Sequence, residues 1–142
     1  MRRTGSRYIK IIDFVFYHER QIRQAMMEAR EDVPRAEKNG SGISDPTATQ
    51  AIKNATPLRF VNINGTRVER PECWVQVIDS TKLWFSQDNE KRIVLHDMYE
   101  NVDYRQTCAA LSISPSTLHY FRQEIRTYAA LCAANLNLLR FV

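Results

Sequence analysis

The residues best suited to metal or covalent chemistry stand at spacings that favour neither. His96, Cys108, His119 and Cys132 all lie in the last third of the chain. No two of them have the Cys-x2-Cys or His-x3-His separation that puts two ligands on one ion, so no metal site is expected. There is no glycine-rich phosphate loop, and no serine elbow that would present a nucleophile to a histidine. The expectation is a protein that is not an enzyme and carries no cofactor. Three cysteines, Cys73, Cys108 and Cys132, are odd in number and widely spaced, which is free-thiol usage in a reducing compartment.

The chemistry that remains is hydrogen bonding to a polyanion. Ser114, Ser116, Thr117, His119, Tyr120, Arg122, Gln123 and Arg126 fall within thirteen residues, and Glu124 is the only acid among them. With Leu118, Phe121 and Ile125 turned inward on a helix, Ser116, Tyr120, Gln123 and Thr127 face outward. Thr117, His119, Arg122 and Arg126 flank them. The start of this face is short-chained and hydroxyl-rich, as a backbone approaching a groove requires. A glutamine can pair with two atoms of an adenine edge, and an arginine can reach a guanine or a phosphate. Free amides at the helix start can hold a phosphate. The alternative is an ordinary solvated helix face, and the scarcity of acids weighs against it. These eight residues are the candidate DNA-binding set.

Positioning such a face takes a helix, a tight turn and a second helix. Asp88 can cap a helix running to Tyr99, with Ile93, Val94 and Met98 as its apolar side. Asp103 can cap a second helix over 104–111, with Gln106 placed to close a reciprocal capping box. Ser112-Ile113-Ser114 forms the turn, and Ser114 caps a third helix whose first residue is Pro115. Leu118, Phe121, Ile125, Tyr128 and Cys132 continue it inward at alternating threes and fours. A helix-turn-helix also needs small side chains where the helices cross, here Cys108-Ala109-Ala110, and one apolar turn residue buried, here Ile113. Serine stands at 112, where this turn usually has glycine. A plain helical hairpin is the competing reading.

The fold class expected is mainly α: an N-terminal amphipathic helix, short central helices with a β-hairpin, and the C-terminal helix-turn-helix. Tyr8, Ile12, Val15, Ile22, Met26 and Ala29 recur at helical spacing, and the pattern outlasts a strand despite the β-branched run around Ile11 and Val15. Its heptad-like spacing breaks at His18 and Glu19. A face this wide suits burial on the central helices or on a second copy, so a homo-oligomer through residues 8–29 is one expectation. The divisions read are 1–33 for this helix, 34–44 for a polar linker, 45–87 for a central region and 88–142 for the helix-turn-helix. Asp45 and Pro46 open a short helix to about Asn54. Asn64-Gly65 between β-formers predicts a type I′ hairpin over 58–69. Pro71 opens a helix with a stripe of Trp74, Val77, Ile78, Lys82 and Phe85, and both Trp74 and Trp84 are expected in the core.

A 142-residue chain that is 44% hydrophobic and 25% charged has enough apolar side chain for a core, which excludes wholesale disorder. The net charge of +4 divides as +3 over 1–38, −2 over 39–103 and +3 over 104–142, so both ends suit a polyanion. No secretory signal or membrane-length stretch is visible, and no membrane partner is expected. The expected location is the cytoplasm.

The sequence Ser44-Asp45-Pro46-Thr47-Ala48, the helix from Arg92-Ile93 to Tyr99, and the segment 111–125 together resemble a known family. They are similar to the small phage-encoded late transcription regulators of the RinA/ArpU type, whose C-terminal unit is like region 4 of a sigma-70 factor. Residues 56–75 depart from that family's more continuous helical middle. The resemblance implies a sequence-specific transcription regulator, an activator of phage or prophage late genes. It implies promoter duplex DNA and host RNA polymerase as partners, in the bacterial cytoplasm at the nucleoid. Two other classes stay open. A small-terminase-like packaging protein would form rings and usually carries its DNA-binding unit first. A protein-interaction module that binds polymerase without reading DNA would give no salt-dependent shift of random duplex.

Overall fold

A computed structural model describes residues 2–32 and 57–139 of the chain. The linker expected over 34–44 and the short helix expected over 45–54 lie outside the described residues. Those described form six helices and one two-stranded antiparallel sheet, the mainly α fold expected. The helices are α1 (Arg2–Tyr17), α2 (Glu19–Asp32), α3 (Pro71–Trp84), α4 (Asn89–Met98), α5 (Tyr104–Leu111) and α6 (Pro115–Asn135). The strands are β1 (Phe60–Ile63) and β2 (Thr66–Glu69). No helix among the described residues is long and apolar enough to cross a membrane. The chain divides into two compact units, Met1–Tyr17 with Cys73–Val142, and His18–Glu72.

The smaller unit is held by a hairpin and α2, which packs on β1. The register pairs Val61 with Val68 and Ile63 with Thr66, so the period-2 alternation sends Val61, Ile63 and Val68 to the buried side. The expected turn is present: Asn64 and Gly65 take φ of 51° and 83°, the two positive values a type I′ turn demands. Ile22 of α2 is also buried. Glu72 accepts from Arg30 of α2 at 2.8 Å and from the backbone N–H of Leu58 at 3.0 Å through the same Oε1. One carboxylate thus ties the helix to the chain entering the hairpin.

The described residues of the larger unit form helices joined by short turns. α1 packs on α6, and α4, α5 and α6 contact one another pairwise. The stripe of α1 is buried within the chain, with Ile12 and Val15 essentially inaccessible and Phe16 stacked on Tyr99 at 5.2 Å between ring centroids. The predicted continuous helix over 8–32 is interrupted by a turn at His18, where the heptad pattern fails. Within the larger unit α1 buries Ile12, Val15 and Phe16, and within the smaller unit α2 buries Ile22, while Ile11, Tyr17 and Met27 stay exposed.

α3 buries Trp74, Val77, Ile78 and Thr81, and Phe85 just past its end is buried too. Thr81 takes the place expected for Lys82, which is exposed; its hydroxyl donates to the Val77 carbonyl at 2.7 Å, so its burial leaves no unpaired group. Trp84 differs from expectation in a larger way. It is 64% exposed and stacks on Tyr128 of α6 at 5.0 Å, a cover for the helix rather than a core residue.

Candidate nucleic-acid interface

The geometry of the candidate site begins with three helix caps. Asp88 Oδ1 accepts from the Lys91 N–H at 3.1 Å to open α4, and Asp103 Oδ1 accepts from the Arg105 N–H at 3.0 Å to open α5. Ser114 Oγ accepts from the Thr117 N–H at 3.1 Å to open α6, with Pro115 at the first helical position. Each side-chain oxygen satisfies an amide that the helix itself leaves without an acceptor.

Between α5 and α6 the chain turns in three residues. Ser112 adopts the left-handed conformation at φ 54°, ψ 46°, and its N–H and that of Ile113 close on the Ala109 and Cys108 carbonyls. This is the conformation that makes glycine the usual residue at the position. Ile113 is half-buried rather than enclosed, because the turn is short and lies at the surface. The crossing residue is also not quite the one expected. Ala109 and Ala110 are exposed, and Thr107 is the buried member of α5, its hydroxyl donating to Asp97 Oδ2 of α4 at 2.9 Å.

The buried face of α6 runs through Leu118, Ile125, Ala129 and Ala133. The expected stripe had Phe121, Tyr128 and Cys132, all of which are half-buried. The inward face beyond Leu118 therefore sits about one position further along the wheel. Small side chains at 129 and 133 suit a helix packed on by its neighbours, while Tyr128 lies against Trp84 and Phe85.

That rotation sorts the eight candidate residues. Ser114, Ser116, His119 and Tyr120 are exposed, Tyr120 at 76%, and Thr117 lies beside them with its hydroxyl 3.0 Å from that of Ser114. These five form one surface over the first two turns of α6. Arg122 is half-buried, with its Nε enclosed and without a hydrogen-bond partner. Gln123 is half-buried and helps line an apolar groove of about 380 Å³ with Tyr8, Ile9 and Ile12 of α1. Arg126 is held by Asp13 of α1 through two bonds, Nε to Oδ1 at 3.1 Å and Nη2 to Oδ2 at 3.2 Å. The structure thus brings the residues from 114 to 120 together and holds Arg126 apart from them.

Sequence reasoning missed the other side of that ion pair. Asp13 stands in an apolar run, and a carboxylate there needs a buried partner; that was the available signal. Tyr99 is the third member, donating to Asp13 Oδ1 at 2.7 Å, and its phenol is pushed far above the ordinary range by burial first and by the Asp13 charge next. Lys91 was also missed. It pairs with Glu124 and approaches the Phe121 ring at 5.5 Å, joining α4 to α6. The hydrogen bond that Lys91 donates to the Glu124 carboxylate is the main cause that raises its pKa. The one acid on α6 is thereby neutralised. Exposed Arg105 adds a cation beside Tyr104 at the start of α5.

Among the described residues no group of three His, Cys, Asp or Glu side chains could hold a metal ion. Comparison with protein families, with curated proteins and with solved structures returned no match.

Proposed function

We propose that α5 and α6 act as a helix-turn-helix that reads duplex DNA, and that the protein regulates transcription through it. The observation that carries this reading is the first two turns of α6. They follow a three-residue turn with a left-handed hinge, project Ser116, His119 and Tyr120 into solvent, and carry no acid. In this mode of binding the N-terminal residues of the second helix meet base edges while the first helix crosses the backbone. Ser116, His119 and Tyr120 would face the major groove, and Ser114 and Thr117 the flanking phosphate. Gln123 and Arg122 stand at the inner margin, able to reach the groove edge only with their side-chain tips. Arg105 on α5 supplies a backbone contact.

The resemblance to phage late regulators supplies the context: a promoter of phage or prophage genes, host RNA polymerase as a second partner, and a place on the bacterial nucleoid. The test is a titration of the full chain on short duplexes over a range of salt, followed by selection of preferred sequences from a random pool. Binding should weaken steeply with salt, because counterions are released from each phosphate contacted. Tyr120→Ala and Ser116→Ala should keep the fold and relax preference at one position each, at a cost of about 1–3 kcal/mol for a lost base contact. No duplex binding at any salt would reject the reading in favour of a protein-interaction module.

A further inference from the structure

α6 has two arginines, and the one further along the helix is already engaged. The Asp13 carboxylate accepts three bonds from two elements of the larger unit: both from the Arg126 fork, and one from the Tyr99 hydroxyl. The Asp13 and Arg126 side chains are 34% and 21% exposed, so water screens the pair only in part. A guanidinium in a two-bond fork with a carboxylate presents little net charge to a third group. For Arg126 to meet a phosphate it must leave Asp13, stranding a partly desolvated carboxylate on the Tyr99 hydroxyl alone. Leaving one partner of such a half-buried pair uncompensated is unfavourable, and that cost offsets what a phosphate contact would gain. The exchange gives up the fork with Asp13 for a single phosphate contact.

We propose that Asp13 is a positioning residue that withholds Arg126 from DNA, so that the N-terminal helix sets how strongly the protein holds the phosphate backbone. This deepens the DNA-binding reading above and rests on it. Asp13 confines backbone contact to the start of α6 and to α5, and any change that frees Arg126 adds one cation to the surface facing the duplex. The gain is independent of sequence, since phosphates carry no base information.

The experiment compares the salt dependence of random-duplex binding by the full chain and by Asp13→Asn. Freeing one arginine should steepen the slope of log K against log salt by about 0.9 and tighten binding on the order of tenfold at low salt. Adding Arg126→Gln to Asp13→Asn should return the slope to that of the parent. A folded Asp13→Asn protein with an unchanged slope overturns the proposal. Should that variant fail to fold, the parent decides by nitrogen-15 NMR of the arginine Nε–H groups. The Arg126 signal should stay in place when duplex is added, and a shift of that signal overturns the proposal. A parent that binds no duplex defeats the DNA reading itself, which the slopes of a binding parent cannot do.

Discussion

Ser112 carries a cost that one substitution should remove. At φ 54° and ψ 46° its Cβ is crowded against the following carbonyl, a conformation that disfavours any residue with a side chain by roughly 1–2 kcal/mol. Glycine escapes that crowding but loses more freedom on folding, about 0.5–1 kcal/mol. The difference predicts that Ser112→Gly stabilises the protein by about 0.5–1 kcal/mol. Bonds made by the turn should survive, because they use the backbone N–H groups of Ser112 and Ile113 and not the hydroxyl. Ser112→Val should act oppositely and more strongly, since a β-branched side chain is a genuine outlier there. For a protein of this length each kcal/mol moves the melting midpoint by about 2–4 °C. The assay is thermal unfolding of the parent and both variants by circular dichroism. A lower midpoint for Ser112→Gly, or an equal one for Ser112→Val, would falsify the left-handed turn and with it the placement of α6 after α5.

Two further outcomes follow from the buried face and from the raised pKa values. Ile125 is almost fully enclosed and Ile113 is not, so Ile125→Ala should cost about 2–5 kcal/mol and Ile113→Ala clearly less in denaturant titration; equal costs would misplace the inward side of α6. Tyr99 and Lys91 both have folded pKa values above their unfolded ones, so their contributions are complete below about pH 10. Above that pH the unfolded chain releases protons the folded chain keeps, and Tyr99 alone should lower stability by about 1.4 kcal/mol per pH unit. Tyr99→Phe should flatten that alkaline decline while losing about 1 kcal/mol at neutral pH with the Asp13 hydrogen bond. A decline of unchanged steepness in the variant would show that another group titrates.

The sequence determined by itself whatever depends on neighbours within about four residues. Asn64-Gly65 dictates a turn because both positions need positive φ. Asp88, Asp103 and Ser114 open α4, α5 and α6 because each reaches an amide two or three residues ahead. The turn at 112–114 was legible for the same reason, down to the position where glycine would be usual. Which way each helix faces was decided only by tertiary structure. Tyr128 and Cys132 fit an inward stripe as well as Ala129 and Ala133 do, until helices distant in sequence pack on α6 and the small pair is the one enclosed. Trp84 has the composition of a core residue, yet it covers Tyr128 from outside because the buried side of α3 runs through Val77, Ile78 and Thr81. Arg126 reads locally as a cation free to meet DNA. Its partner lies 113 positions earlier, and a charge pair between distant segments leaves no periodic trace in either one. Local hydrogen bonding is written in short spacings, whereas the choice among equivalent helix faces is made by the helices that pack against them.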